Sequence, residues 1–329
     1  MAITLKDVAA RAGVSHAAAS RSFTPGASVS AKTRAKVEQA AAALGYSPNM
    51  LARSLTTRKT QLVGLVSNNF QNPVFLQIFD LFTRALQEQG LRPLLVNLSD
   101  ETDPERCLQM LRQYSVDGVI VASSHLPQGF ARAFQQAGIA VVHAFGRAAA
   151  VPDVSVAAID NVAAGRMAAQ ALIARGYGRI GFLGGPEQAS TTQDRMAGFL
   201  AEAKRSGAQA SVSFAAAYSF EAGRVEMARL LAHSPCEAYF LGDDVLALGA
   251  LAAAQAAAVR VPQGLGILGL NDMAMAAWAN VNLSTIHQPF EAIVRGAVDL
   301  LIARFANPEA APEVRIYPCH LVSRATLRG

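Results

Sequence analysis

Cysteine is scarce: Cys107, Cys236 and Cys319 are the whole supply in 329 residues, and they lie far apart. An odd, scattered set fits neither a disulfide framework nor close metal-ligand spacing, so the expectation is a reducing setting with no metal site. Long apolar runs are also missing. Even the alanine-rich stretches are broken by Arg, Gln, Asp or Gly before reaching the roughly 18 consecutive apolar residues of a membrane-spanning helix. The opening residues turn charged at Lys6 and Asp7 and never supply the uninterrupted apolar core of a secretion signal. A cytoplasmic protein is expected, with no membrane partner.

The nuclei of common enzyme chemistries are absent as well. There is no Gly-x-Ser-x-Gly elbow, no phosphate loop with Gly-Lys-Ser/Thr and no His-Glu-x-x-His helix. Gly264, Gly266 and Gly269 match the spacing of a dinucleotide fingerprint, but they bracket the apolar pair Ile267-Leu268 instead of opening a helix, with Pro262 just upstream. No enzyme activity and no cofactor are therefore assigned.

Charge makes up only 16% of the chain, and its placement is uneven. Residues 1–60 hold nine Lys and Arg against Asp7 and Glu38, whereas the remainder carries 20 Lys and Arg against 22 Asp and Glu. A basic head on a nearly neutral body points to a polyanionic partner at the N-terminal end. Apolar residues, at 52%, suffice for a large core divided between two or more domains.

The head reads as three short helices. Leu5, Val8, Ala9 and Ala12 have helical spacing up to Gly13; Ser15 can cap a second helix running to about Phe23; Ser30 can cap a third, which stops at Gly45. Two helices meeting at a tight turn form a helix-turn-helix, whose second helix enters the major groove. Here that helix carries Ser15, His16, Ala17, Ser20 and Arg21. Arg21 suits a bidentate contact to guanine, His16 a polar contact, and Ala17 leaves space for a thymine methyl. The plain alternative is a three-helix bundle with solvated arginines. From Leu62 onward, apolar strands alternate with helices: Leu62–Ser67, a helix Val74–Gln89, Leu94–Leu98, then strands Gly118–Ala122, Ala140–His143, Ile180–Leu183, Ala238–Leu241 and Gly266–Leu270. This alternation predicts parallel sheets with right-handed crossovers.

Thr4-Leu5-Lys6-Asp7-Val8-Ala9, Ala12-Gly13-Val14-Ser15, Ser20-Arg21, Val29-Ser30 with Thr33-Arg34, Tyr46-Ser47-Pro48-Asn49 and Ala52-Arg53-Ser54-Leu55 resemble the lactose repressor and galactose repressor (LacI/GalR) family. The resemblance runs over essentially the whole chain. It implies a small all-α helix-turn-helix head and an α/β body of two doubly wound parallel-sheet subdomains, periplasmic-binding-protein-like (type I). The implied limits are 1–47 for the head, 48–60 for a hinge helix and linker, and 61–329 for the effector-binding and dimerisation domain. Within the body, the N-subdomain takes about 61–158 and 288–318, and the C-subdomain about 159–287 and 319–329.

On the DNA side the resemblance adds Thr4, Leu5, Ser30, Thr33, Asn49, Ala52 and Leu55 to the reading-helix residues. Leu55 and its mate from a second subunit would wedge into a minor-groove step; the competing reading is a core leucine. On the effector side it implies contacts from Phe75, Phe145, Thr191, Arg195, Tyr218, Asp243 and Asn271. For Arg195 the competing reading is a surface ion pair with Asp194 or Glu187, and Asp160-Asn161 reads as a helix cap. The chain departs from the family's pattern at Ala18-Ala19, where Thr-Val is usual, and at Thr24, often Asn. It also has Asp243-Asp244 where Asn-Asp is common and Asn271-Asp272 where Asp-Asp is common, as though acid and amide had changed places. The implied function is a sequence-specific transcriptional regulator, most simply a repressor, controlled by a small polar metabolite. The partners are double-stranded operator DNA, the effector and a second copy of the chain; the segment after the last strand carries no leucine heptads, so a dimer is expected.

Overall fold

The computed structural model describes residues 3–24, 26–47, 54, 59–68, 70–98, 104–123, 129–149, 152–233 and 235–329. The chain divides into two compact units, with the boundary between Thr60 and Gln61.

In the first unit the helices are α1 (Leu5–Ala12), α2 (His16–Ser22) and α3 (Ala31–Leu44), close to the limits the caps predict. Thr4 donates its N–H and its hydroxyl to the Asp7 carboxylate at 2.8 and 2.7 Å. Ser15 Oγ accepts from Ala18 N–H at 3.2 Å, and Ser30 Oγ from Thr33 N–H at 3.1 Å, which satisfies amides that a helix start leaves unpaired. Gly13 and Gly45 end α1 and α3 at φ of 66° and 65°, a left-handed turn that glycine adopts without a Cβ clash. Val8, Ala9, Ala19, Val37, Ala40 and Ala41 fill the centre. These side chains are small, so three short helices can approach closely. The Arg34 guanidinium donates to the Ser22 and Ala27 carbonyls and so ties down the α2–α3 connection.

The second unit holds two lobes. The first is built from β1 (Leu62–Ser67), α4 (Val74–Glu88), β2 (Arg92–Asn97), α5 (Pro104–Gln113), β3 (Gly118–Ala122), α6 (Phe130–Gln136), β4 (Ala140–Ala144) and β5 (Ser155–Ile159). The chain then crosses to α7 (Asn161–Ile173), β6 (Arg179–Gly184), α8 (Ser190–Ser206), β7 (Gln209–Phe214), α9 (Phe220–His233), β8 (Ala238–Leu241), α10 (Asp244–Ala256), β9 (Gly266–Asn271) and β10 (Ser284–His287). It returns for α11 (Phe290–Ala306) and β11 (Val314–Tyr317), and crosses a third time into β12 (His320–Val322). The first sheet has the order β11-β5-β4-β3-β1-β2, all parallel; the second has β12-β10-β9-β8-β6-β7, parallel except for β12 against β10.

The central strands β3, β5, β8 and β9 are buried along their whole length, as expected of sheets covered by helices on both faces. The edge strand β7 is mostly exposed, and β2 is exposed at three of its six positions. That explains two differences from the sequence reading: β2 begins at Arg92, two residues before the apolar run, because it pairs in register with Leu62, and β7 has no apolar run to mark it. Gly266 and Gly269 lie inside β9, where a Cβ would meet the Tyr177 ring and the Asp244 carboxylate respectively. Their spacing serves packing and not a phosphate.

Helices α7 and α8 touch backbone to backbone. A Cβ on Gly165 would come to 1.9 Å from the Arg195 carbonyl oxygen, and one on Gly198 to 1.9 Å from that of Val162. Gly223 and Gly249 make the same kind of approach between α9 and α10. Since a helix backbone cannot step aside as a flexible side chain can, G198A is expected to destabilise the body by about 1–3 kcal/mol. A urea titration should show a lower midpoint with little change in slope, and an unchanged midpoint would refute the close approach.

Candidate functional site

On the head, Ser15, His16, Ala17, Ser20 and Arg21 are all exposed, whereas Ala19 and Ser22 point inward. Positions 16, 17, 20 and 21 repeat at helical spacing, so one face of α2 is presented whole. The departures from the family's pattern have local explanations. Ala19 is fully buried among the alanines of α3, and Thr24 donates its hydroxyl to the Ser20 carbonyl at 3.1 Å, closing the end of α2. Thr4 is exposed at the start of α1; Leu5 is half-buried against the head core; Ser30 and Thr33 hydrogen-bond each other at 2.9 Å at the start of α3. Asn49, Ala52 and Leu55 lie outside the described residues.

In the body, the loops beyond the carboxyl ends of both sheets face one cleft, part of which is open to solvent. Phe75, Phe145, Thr191, Arg195, Tyr218, Asp243 and Asn271 all line it. The sequence reading missed Asn68, Ser123, Asn161, Gln288 and Phe290, which line it too. Gln288 had one available signal, a polar residue between a strand end and Phe290 where the chain crosses lobes. Asn161 was read only with the cap. Asp160 does cap α7, accepting from Ala163 N–H at 2.9 Å, while Asn161 is a buried wall of the cleft.

Arg195 is no surface ion pair. It is 7% exposed, and its Nε donates to Asn161 Oδ1 at 2.8 Å while Nη1 donates to the Gly242 carbonyl. Asp194 belongs instead to Arg147. Holding the guanidinium on two sides fixes the direction of its remaining N–H groups, which suits oriented binding of hydroxyl or carboxylate oxygens. Phe145 supplies an apolar wall edge-to-face with Phe290, centroids 5.9 Å apart, and sits at φ 64°. A bulky residue in the left-handed region costs on the order of 1–3 kcal/mol and is found where a site requires it.

Asp243 begins α10 and is fully surrounded by protein. Its Oδ1 accepts from Val245 N–H at 2.8 Å, and its Oδ2 from the amides of Asn72 and Asn271, both at 2.9 Å. Burial nonetheless pushes its carboxyl up to about 6, against the pull of those donors and of Arg195. Asp244, one residue on, accepts from Thr285 Oγ1 at 2.6 Å and Met273 N–H at 2.8 Å. Burial, together with the neighbouring charges of Asp243 and Asp272, raises it to about 7. His143 donates through Nε2 to the Ser123 carbonyl at 2.7 Å, with burial holding its imidazole below the usual range. Among the described residues, no group of three His, Cys, Asp or Glu is placed to hold a metal, all three cysteines are free, and no helix is long and apolar enough to cross a membrane.

Two carboxyls with folded-state values above their unfolded ones bind protons more tightly in the native protein. Their contribution to stability is present below about pH 4 and is lost as pH rises through 6 and 7. Urea stability should therefore fall between pH 5 and pH 8 by roughly 2–4 kcal/mol. Asp244→Asn keeps an acceptor for Met273 and lets Thr285 reverse its hydroxyl, so it should flatten that slope; an equally steep profile in the variant would clear Asp244 of the effect.

Comparison with known proteins accounts for both units. Residues 4–49 match the family described as bacterial regulatory proteins, lacI family, and residues 169–327 match the periplasmic binding protein-like domain. The HTH-type transcriptional regulator CelR of Thermobifida fusca is 32% identical over 331 residues, 98% of this chain and 97% of that protein. A solved complex of transcriptional regulator CelR with cellobiose superposes with a TM-score of 0.75 at 31% identity, covering 99% of this chain and 100% of that one. The lac repressor dimer bound to operator and the anti-inducer ONPF superposes at 0.87 with 25% identity, covering 99% of each chain. With resemblance running from the reading helix to the last strand, the chain belongs to the lacI family of bacterial regulatory proteins, and it is a DNA-binding transcriptional regulator.

Proposed function

We propose that this regulator is a cytoplasmic homodimeric repressor whose operator affinity is set by a small saccharide or sugar-acid bound between its two lobes. It acts by binding and not by catalysis. The observation that carries this reading is the cleft itself, where a buried, doubly held Arg195 and the Asp243–Asn271 pair stand opposite the rings of Phe75, Phe145 and Phe290. A sugar ring has apolar faces and a polar rim, and a pocket of this composition matches both. The CelR relative, solved with cellobiose, supports the same ligand class.

In this reading the head is 1–47, residues 48–60 are the hinge, and 61–329 form the effector and dimerisation domain, with its subdomains meeting near 158 and 288 and again near 318. The DNA surface comprises the exposed face of α2 with Thr4, Leu5, Ser30 and Thr33, and the hinge residues Asn49, Ala52 and Leu55. Linkage makes the coupling reciprocal: the factor by which effector changes operator affinity is the factor by which operator changes effector affinity.

Isothermal titration with cellobiose, glucose and gluconate tests the body. At least one should bind the full-length protein, and R195A should weaken it by roughly tenfold or more, as loss of a charged hydrogen-bond partner requires. Heat from none of them would remove the saccharide assignment. For the head, selection from random oligonucleotides should yield a symmetric site. R21A should lose about 1–3 kcal/mol of preference for it, whereas K59A should weaken binding to all DNA alike; a preference unchanged in R21A would exclude Arg21 as a base reader.

A further inference from the structure

Where the lobes face each other, side chains of one bond directly to the other at two depths. Deep in the cleft, Asn72, in the turn between β1 and α4 of the first lobe, donates its amide to Asp243 of the second at 2.9 Å, and both residues are buried. At the rim, Arg147, in the loop after β4 of the first lobe, forms a two-pronged pair with Asp194 on α8 of the second, at 2.8 and 2.6 Å, and reaches the Ser190 carbonyl at 3.0 Å. We propose that Asn72 and Arg147 form a two-point latch that holds the lobes together and so sets how tightly the cleft takes its effector. This rests on the cleft being the effector site.

The inner point is the stronger. Asn72 is committed at both ends of its carboxamide: Oδ1 accepts from Val74 N–H at 3.1 Å at the start of α4, which leaves Nδ2 aimed across the cleft. Asp243 is equally committed, since Oδ1 serves Val245 N–H and Oδ2 serves both Asn72 and Asn271. Neither side chain can follow the other lobe without giving up a bond to its own helix start. Opening the cleft thus breaks a charge-assisted hydrogen bond in a dry setting. The outer pair is weaker, with Arg147 and Asp194 side chains 46% and 20% exposed and open to screening by salt. The exchange of acid and amide noted in the sequence sets a carboxylate at 243, opposite the Asn72 amide. An effector that bonds to Asp243 must compete with Asn72, and its apparent affinity is reduced by the fraction of molecules with the latch shut.

The test is hydrogen–deuterium exchange on the full-length protein at pH 8 with no ligand added. N72D keeps the oxygen that caps α4 but sets a second carboxylate against Asp243. Exchange should quicken about tenfold at residues 190–195 and 242–247 of the opposite lobe, the size of effect expected from losing one charged hydrogen bond, while β3 and β9 stay protected. The double variant N72D/D243N restores an N–H between the two positions with its polarity reversed, Asn271 turning its amide over, and should return exchange toward the starting rate. Unchanged exchange in N72D, or an increase confined to residues 72–76, would overturn the latch, the second result leaving Asn72 as a local cap only. Should N72D fail to fold, N72A is read by the same criterion. No ligand enters the measurement, so failure of the latch stays distinct from failure of the saccharide reading, which the R195A titration decides.

Discussion

A carboxylate taken out of water keeps its charge only if donors replace the lost hydration, and the walls of the cleft are arranged around that requirement. Asp243 draws donors from β9, from α10 and from the far lobe; Asp244 draws them from β10 and from the turn after β9. The two acids thereby pin together segments remote in sequence. Gly269 belongs to the same unit, because the Asp244 carboxylate occupies the space its side chain would need. With the acids set, the orientation of Asn271 and the bond that spans the lobes follow.

The aromatic side of the cleft is fixed by different means. Phe145 is held by its backbone, whose N–H donates to the Ala157 carbonyl at 2.9 Å, and by the Phe290 ring delivered from the start of α11. A residue carried on the second lobe-crossing segment is thus in contact with one at the end of a first-lobe strand. The apolar wall of the cleft and the geometry of the crossing are therefore coupled through packing of the two rings, without any charged group.

Much of this was legible in the sequence, for identifiable reasons. In the head, every helix start is marked by a residue whose side chain bonds locally, Thr4, Ser15 or Ser30, so spacing and caps sufficed. In the body, most strands buried on both faces announced themselves as apolar runs, though β5, Ser155–Ile159, did not stand out; of the edge strands, β2 was read from its apolar end with its start set by register with β1, and β7 was not read at all. Residues matched by a family motif, such as Arg195 and Asp243, do line the cleft. Asn161 and Gln288 were not read as doing so, because a polar residue at a helix start or strand end looks the same whether it caps its own backbone or faces a cavity. Residue types alone left open whether Arg195 pairs with Asp194 on the surface: adjacent on α8, Arg195 turns inward to Asn161 and Asp194 outward to Arg147, and only the placement of α7 and the β4 loop decides it.

The lobes are joined by covalent chain at three places, after β5, after β10 and between β11 and β12. A single tether would allow sliding, twisting and separation alike. Three, each emerging from a hydrogen-bonded sheet, bar the lobes from sliding apart or separating. What remains for a molecule between the lobes to alter is how far apart they stand at the cleft.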